Sequence, residues 1–134
     1  RGAGHGFADS GVEPWLPYHP EAAALSVEAQ LEQPRSVLSL YRRLLDLRRA
    51  DPVLHSGDYI SMDSESPDVL CFGRRYADET LLVALNFGAH EIEVPLASGR
   101  KGHLLLSTEM DRGGDVDLGD VALRPYEGVL IALG

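Results

Sequence analysis

Apolar residues recur at helical spacing between Pro34 and Ala50 and cover about half the circumference of a helix. Pro34 suits the first turn of a helix, and two arginines lie in the last turn, where cations interact favourably with the helix dipole. The Asp51-Pro52 pair ends the pattern, because a residue before proline disfavours helical backbone. The pattern therefore predicts one helix, with an apolar face wide enough to contact more than one neighbour.

After Pro52 the pattern changes to short apolar runs separated by turn residues. The runs predict strands near 58–62, 69–76, 80–87, 91–96, 103–108, 120–124 and 126–133. Residues 81–85 and 129–133 are apolar on both faces, which predicts sheet centres. Residues 91–96 alternate between apolar and polar, as is typical of a half-exposed edge strand. This number of short strands predicts a mainly β fold, an antiparallel β-sandwich.

The first 33 residues carry repeated glycines and prolines around Trp15. Such spacing blocks both helix and central strand, so it predicts an irregular but ordered loop. Loops longer than ~12–15 residues are uncommon unless they serve a site or cross another structure. We therefore expect Trp15 to pack on polypeptide outside these 134 residues.

Composition narrows the possible functions. The 134 residues are 44% hydrophobic and 25% charged, which is ordinary for a globular domain with one core. The net charge of -9 repels phosphate backbones, which argues against a nucleic-acid partner. No apolar run approaches the ~18–20 residues of a membrane span, which argues against a membrane partner. A single cysteine, Cys71, excludes an internal disulfide and fits a reducing, cytoplasmic location.

Candidate nucleophiles and metal ligands are sparse. No Gly-x-Ser-x-Gly elbow occurs, and Cys71 lies inside a predicted strand, where a small buried hydrophobic role is expected. The histidines lack zinc-like spacing and are expected at solvated loops and strand ends. They are His5, His19, His55, His90 and His103. Only His5, in a glycine-rich loop, is placed to border a site.

Two further stretches resemble ligand motifs without matching them. The segment Gly2 to Gly6 lacks the preceding strand and following helix of a dinucleotide site. An acidic run with interspersed glycines lacks the ligand order of a calcium loop, so a solvated turn is expected. Its members are Asp111, Asp115, Asp117 and Asp120. The residues alone therefore predict no catalytic, cofactor-binding or metal-binding side chain, and they leave the function open.

The order of several segments is more informative. They are Gly6-Phe7, Glu13 to Pro17, Ser26 to Gln30, Pro34 to Arg49, Gly57 to Tyr59, Ala84 to Phe87 and Leu123 to Leu130. Together they resemble the C-terminal region of α-glucosidases in the α-amylase superfamily, glycoside hydrolase family 13. The arginine-rich composition, in which Lys101 is the only lysine, agrees with the actinobacterial maltose-type members.

The resemblance implies an architecture. In that family a (β/α)8 barrel carries catalysis and an antiparallel sandwich follows its last helix. Residues 1–33 would be the loop after the last barrel strand, residues 34–51 the last barrel helix, and residues 52–134 the C-terminal β-sandwich domain. Five side chains would pack on the barrel: Trp15, Val37, Leu40, Leu44 and Leu47. Without the barrel, the four helical members would form an uncovered patch that favours self-association.

The resemblance also implies a chemistry for the parent protein. Family members are retaining hydrolases of terminal α-1,4-glucosidic bonds in maltose-type oligosaccharides, and they use two carboxylates on the barrel. Those carboxylates would precede Arg1, so no catalytic role passes to any residue here. The 134-residue chain alone is therefore expected to be inactive, and the oligosaccharide substrate would contact the barrel of the parent.

Three alternatives stay open. The first is a carbohydrate-binding module, which would need exposed aromatic side chains. Apart from Trp15, the aromatic residues weighed for this role lie on predicted strands, where burial is expected: Tyr59, Phe72, Tyr76, Phe87 and Tyr126. The second is a non-catalytic interaction protein that retains this domain. The third is the same region of a transglucosylating relative, such as trehalose synthase or sucrose isomerase.

Overall fold

The computed structural model describes residue 9 and residues 11–134, which belong to two compact units that divide between Leu44 and Leu45. In the first unit, the segment expected to be a loop contains turns and one short helix, α1 (Val27–Leu31). Ser26 caps α1, because its hydroxyl accepts a hydrogen bond from the Ala29 amide at 3.3 Å. The loop prediction is therefore wrong for these five residues.

The predicted helix is confirmed as α2 (Val37–Ala50), which begins three residues later than Pro34. Its first turn is fixed by Ser36, whose hydroxyl accepts a hydrogen bond from the Ser39 amide at 3.2 Å. None of the side chains of α2 is buried. The expectation that its apolar face is partly uncovered is confirmed for the residues that the structure describes.

A further short helix, α3 (Pro52–Ser56), follows the end of α2 and lies in the second unit. The sequence was expected to hold one helix, with Asp51 and Pro52 ending it, and this expectation is wrong. The same two residues also start a helix, because a carboxylate suits the cap position and proline suits the first turn. The Asp51 carboxylate accepts a hydrogen bond from the Val53 amide at 2.8 Å.

The second unit is an antiparallel β-sandwich, as predicted. Its strands are β1 (Asp58–Met62), β2 (Val69–Tyr76), β3 (Glu79–Asn86), β4 (Ile92–Val94), β5 (Lys101–Ser107), β6 (Gly114–Asp117), β7 (Val121–Leu123) and β8 (Gly128–Leu133). Six strands form one sheet in the order β1-β2-β3-β8-β5-β6, and β4 pairs with β7 in a second sheet. All neighbouring strands are antiparallel.

The seven predicted strands are confirmed, with shifts at several ends. Strands β3 and β8 have neighbours on both sides, as their apolar pattern predicted, and within the described residues β4 pairs only with β7. Strand β6 was missed, because it lies in the acidic run that was expected to be a solvated turn. That expectation is wrong for residues 114–117, which pair with β5. A strand of four residues with two aspartates has too little apolar alternation to be detected.

The core lies between the two sheets of the sandwich. Its members come from six strands and from the β4–β5 and β6–β7 connections: Val69, Cys71, Leu82, Ala84, Val94, Leu96, Leu104, Leu118, Val121, Leu123, Val129 and Ile131. The predicted burial of Cys71 is confirmed, and burial raises the pKa of its thiol. A buried thiol with a raised pKa is a weak nucleophile, so its role here is packing.

Candidate functional site

A buried carboxylate, Glu127, organises one end of the sandwich, where β5 and β7 end and β8 begins. Its oxygen Oε1 accepts hydrogen bonds from the Ser107 hydroxyl at 2.6 Å, Arg124 Nη2 at 2.7 Å and Arg112 Nε at 2.9 Å. Its oxygen Oε2 accepts from Arg112 Nη2 at 2.7 Å and from the Arg124 amide at 2.9 Å. We call these four residues, Ser107, Arg112, Arg124 and Glu127, the Glu127 clamp.

The electrostatics of the clamp keep the carboxylate ionised. Glu127 is 1% exposed, and this burial by itself raises the pKa of its carboxyl group. Hydrogen bonds from Arg124 and Ser107 and the positive charge of Arg112 outweigh burial and lower that pKa to about 2. The group therefore carries its negative charge at neutral pH.

Arg124 extends the clamp towards solvent. Its Nη1 and Nη2 donate to the two carboxylate oxygens of Asp111 at 2.8 and 2.7 Å, which is the bidentate geometry of a strong ion pair. Hydrogen bonds to Asp111 and Glu127 raise the pKa of the Arg124 guanidinium. Among the described residues its buried Nε has no hydrogen-bond partner. Arg124 thus joins the turns before β6 and before β8 through its charged end.

Asn86 performs a similar task beside the clamp. Its side-chain nitrogen donates to the carbonyl oxygens of His90 and Arg124 at 2.8 and 2.9 Å, and its side-chain oxygen accepts from the Gly88 amide at 2.9 Å. The Tyr126 amide then donates to the Gly88 carbonyl at 3.1 Å. Tyr126 has φ 58°, a strained value for an aromatic residue, which these bonds hold in place.

The chemistry of this end is structural. A general acid or base must exchange a proton near the working pH, whereas Glu127 is held charged by five hydrogen bonds. The Ser107 hydroxyl donates its proton to Glu127 and accepts from the Glu109 amide at 3.1 Å, which ties a further turn to the clamp. The clamp ties together two connections of the sandwich, β5–β6 and β7–β8.

Sequence reasoning missed the clamp, although one signal was present. Arg124 and Glu127 lie in the segment Leu123 to Leu130, which carries part of the family resemblance. A lone Glu between an exposed turn and a fully apolar strand is unusual, because an isolated buried charge is costly. Its partners Ser107 and Arg112 lie 20 and 15 residues away in sequence, and spacing alone could not pair them.

The histidines do not converge on a site in the described part of the chain. His19, His55, His90 and His103 are exposed. His55 lies in α3 and not in a loop, and His103 pairs with Asp115 at 2.9 Å across β5 and β6. No group of three or more His, Cys, Asp or Glu side chains within residues 9 and 11–134 is placed to hold a metal ion. His5 and the glycine-rich segment Gly2 to Gly6 lie outside the described residues.

An open cleft separates the β1–β2 connection from β4 and has a volume of about 520 Å³. Its lining includes three exposed carboxylates, from Asp63, Glu65 and Glu93, with the apolar side chains of Ile92 and Val94. The three carboxylates are exposed, so the cleft presents an acidic surface to solvent.

The expected burial of the strand aromatics is wrong for four of five residues. Tyr59, Tyr76, Phe87 and Tyr126 are exposed, and Phe72 is half-buried. Phe87 and Tyr126 lie just beyond the ends of strands, where alternation no longer decides burial. Tyr59 stacks on Phe72, with ring centroids 5.4 Å apart.

The side chains predicted to pack on a barrel are uncovered to different degrees. Trp15 is 91% exposed, and Val37 and Leu44 are also exposed. Leu40 and Leu47 are half-buried. A tryptophan side chain that is almost fully exposed is rare on the surface of a globular domain, since its ring is large and mostly apolar.

Comparison with known proteins identifies the family. Residues 59–130, more than half of the chain, match the family model described as the C-terminal domain of maltogenic amylase. The chain belongs to this family. The matched residues run from β1 to the first half of β8, so the matched family domain corresponds to the sandwich.

Relatives of this domain occur in longer proteins of different kinds. An oligo-1,6-glucosidase from Halalkalibacterium halodurans is 30% identical over 91% of this chain and 22% of its own length. The amino acid transporter heavy chain SLC3A2 of Mus musculus is 33% identical over 84% of this chain and 24% of its own length. The trehalulose synthase from Pseudomonas mesoacidophila MX-45 is 26% identical, with a TM-score of 0.80 over 91% of this chain and 22% of that structure.

These comparisons place the chain as the C-terminal domain found in α-amylase-superfamily enzymes such as oligo-1,6-glucosidase. The chain spans less than a quarter of the length of the relatives reported above. Within the described residues, no helix combines the length and the apolar character that a membrane crossing needs.

Proposed function

We propose that the chain is the non-catalytic C-terminal portion of a retaining α-glucosidase that hydrolyses terminal α-1,4-glucosidic bonds of maltose-type oligosaccharides. The observation that carries the proposal is the similarity to an oligo-1,6-glucosidase, which extends over 91% of this chain but only 22% of that enzyme. A retaining mechanism needs two carboxyl groups ~5–5.5 Å apart, one of them free to exchange a proton. The clamp carboxylate does not meet this need, so the domain supports the catalytic barrel and does not act on substrate.

The proposed organisation follows the family. Residues 1–33 form the loop after the last barrel strand, residues 34–51 the last barrel helix, and residues 52–134 the sandwich. Trp15, Val37, Leu40, Leu44 and Leu47 pack on the barrel of the parent. The exposure of Trp15 and the absence of buried side chains in α2 support this packing, because both need a cover.

The proposal also covers the type of parent enzyme and its location in the cell. The parent is an actinobacterial maltose-type enzyme, supported by the bias towards arginine over lysine. It works in the cytoplasm, supported by the single, buried and unpaired Cys71. The oligosaccharide binds to the barrel and makes its contacts there.

The test compares the 134-residue chain with the product of the complete reading frame on a chromogenic α-glucoside. We expect turnover by the longer polypeptide only. Turnover by the purified chain above a boiled blank would reject the non-catalytic role. The upstream coding sequence provides an independent check, because the proposal needs the two catalytic carboxylates of the barrel to be encoded there.

A second candidate is a non-catalytic interaction protein that uses the same domain. The similarity to the transporter heavy chain, at 33% identity, favours it. In that case the complete polypeptide would bind a partner protein and would not hydrolyse the glucoside.

A third candidate function is transglucosylation, which is supported by the likeness to the trehalulose synthase. Incubation of the complete polypeptide with maltose or sucrose separates these functions, since a hydrolase releases glucose and a transglucosylase forms an isomeric disaccharide.

The carbohydrate-binding alternative gains support from the exposed aromatic residues, above all Trp15. Stacking of a pyranose ring on the Trp15 indole would change the fluorescence of the indole. Titration of the chain with maltose, followed at the single tryptophan, tests this alternative directly. A saturable change that is absent in Trp15→Ala would favour the binding module, and no change would favour the supporting domain.

A further inference from the structure

Tyr126 combines a strained backbone with an exposed ring. It is the third residue of a four-residue turn, which the Glu127 amide closes by donating to the Arg124 carbonyl at 3.2 Å. Its φ is 58°, and turns with a positive φ at the third position normally carry glycine or asparagine there. The side chain is 68% exposed, so burial in the core does not offset the strain. Strained residues that the surrounding structure holds in place are concentrated at functional sites.

Phe87 lies opposite Tyr126, where the pairing of β3 with β8 continues beyond the ends of the two strands. The Asn86 amide donates to the Glu127 carbonyl at 2.8 Å. The Tyr126 amide donates to the Gly88 carbonyl at 3.1 Å. Phe87 lies between these two bonds, and its side chain is 64% exposed. We call Phe87 and Tyr126 the aromatic pair.

Buried polar groups fix the backbone that carries the aromatic pair. The Asn86 side chain is buried and donates to the carbonyl oxygens of His90 and Arg124. The Glu127 carboxylate is buried and accepts from the Arg124 amide at 2.9 Å. Exposed rings on a backbone held in this way lose little conformational freedom when a ligand binds, which favours affinity.

A carboxylate without a partner lies beside the aromatic pair. The Asp68 carbonyl accepts a hydrogen bond from the Phe87 amide at 2.8 Å, and a Cβ atom added to Gly88 would lie 3.3 Å from Asp68 Oδ2. In the part of the chain that the structure describes, this exposed carboxylate has no hydrogen-bond or ion-pair partner. The exposed His90 flanks the same turn, and an imidazole can donate or accept a hydrogen bond.

We propose that the aromatic pair is a surface binding site for a maltose-type oligosaccharide. A glucopyranose ring carries C–H bonds on its faces and hydroxyl groups around its rim. The C–H bonds fit the negatively charged face of an aromatic ring, and the hydroxyl groups fit a free carboxylate and an imidazole. The choice of a maltose-type sugar among pyranoses rests on the proposed function, to which this site adds a non-catalytic contact.

A protein partner fits this surface less well than a sugar. A stable protein interface needs about 800 Å² on each partner, and its centre is depleted of charged residues. The aromatic pair supplies only two rings, and the charged side chains of Asp68 and Arg124 lie next to it. A second copy of the chain is also opposed by the net charge of -9.

An NMR titration of the isotope-labelled 134-residue chain with maltotriose tests the inference. We expect saturable shifts of the amide signals of Gly88 and Tyr126. The amide of Glu93, on β4 of the other sheet, should not shift. Sorbitol, which has hydroxyl groups but no pyranose ring, serves as the control ligand. The absence of saturable shifts at the aromatic pair in the folded chain, or equal shifts with sorbitol, would overturn the inference.

The variant Tyr126→Gly separates a binding role from a structural one. Glycine adopts a φ of 58° without strain, so the variant should melt no lower than the natural chain. Loss of the ring should weaken maltotriose binding about tenfold. Tyr76→Ala is the matched control with unchanged binding, because Tyr76 is an exposed ring at the opposite end of β2 and β3.

Two results with Tyr126→Gly would contradict the binding role. A lower melting temperature would show that the ring stabilises the fold, and unchanged maltotriose binding would show that the sugar does not contact it. Phe87→Ala gives an independent measurement on the other ring. This variant should also weaken maltotriose binding, and unchanged binding by the folded variant would count against the aromatic pair as the site.

The outcomes also separate this inference from the proposed function. If the complete polypeptide hydrolyses α-glucosides but the chain does not bind maltotriose at the aromatic pair, only the inference fails. If the chain binds maltotriose there but the complete polypeptide has no glycosidase activity, only the proposed function fails. If light scattering gives twice the mass of the chain and Tyr126→Gly restores the single mass, a second copy occupies the aromatic pair and the inference is wrong.

Discussion

Glu127 holds a full negative charge at a position that water hardly reaches. An isolated buried carboxylate would cost several kcal/mol, and the clamp offsets this cost with two arginines, a hydroxyl and a backbone amide. The arrangement ties the ends of β5 and β7 to the start of β8. At this scale, five hydrogen bonds to one buried carboxylate hold the connections of the sandwich together.

Replacement of Glu127 by Gln tests this role. The variant keeps the size of the side chain but leaves Arg112 and Arg124 without their buried counter-charge, so we expect the free energy of unfolding to fall by about 3 kcal/mol. Urea denaturation of the 134-residue chain measures the change. The matched control is Glu93→Gln, an exposed position where a change within about 0.5 kcal/mol is expected. Equal stability of the two variants would contradict the role of the clamp.

The lowered pKa of Glu127 predicts an acid-dependent loss of stability. The carboxyl titrates near 4.5 in the unfolded chain and near 2 in the folded chain, so protons bind preferentially to the unfolded state between these values. The stabilisation is therefore complete above about pH 4.5 and declines as the pH falls towards 2. Urea midpoints measured from pH 6 to pH 2 should fall more steeply for the natural chain than for Glu127→Gln. Parallel curves would show that Glu127 does not carry this dependence.

At the scale of elements, the strands follow from hydrophobic alternation and the helices from their caps. The apolar runs at β3 and β8 correctly predicted central strands, and residues 91–96 correctly predicted an edge. The short elements were missed for a physical reason, since α1, α3 and β6 have four or five residues and too few apolar positions to form a pattern. The stability of these short elements depends on single groups such as Asp51. In the sequence, an aspartate before a proline fits the end of one helix as well as the start of the next.

The cap of α3 can be tested at one position. Asp51→Ala removes the acceptor of the Val53 amide, so we expect the free energy of unfolding to fall by about 1 kcal/mol. The control is Asp46→Ala on the exposed face of α2, where a pair with Arg49 at 3.7 Å is worth little because both side chains are mostly exposed. Differential scanning calorimetry of both variants gives the comparison. A control as destabilised as Asp51→Ala would speak against a specific capping effect.

At the scale of the whole molecule, the family could be predicted from sequence, because its marker segments keep their order along the chain. The Glu127 clamp could not, because it joins residues that are far apart in sequence. The burial predicted for the strand aromatics was wrong for a related reason. Burial near a strand end depends on which residues pack there in three dimensions, and the sequence pattern does not show this.

The proposed supporting role of the domain requires that the activity lies elsewhere in a longer polypeptide. The most direct measurement is glucose release from maltose by the complete polypeptide and by the 134-residue chain at equal concentration. We expect release by the complete polypeptide and none by the chain. Release by the chain alone, or none by a folded complete polypeptide, would contradict the assignment of this domain to a retaining α-glucosidase.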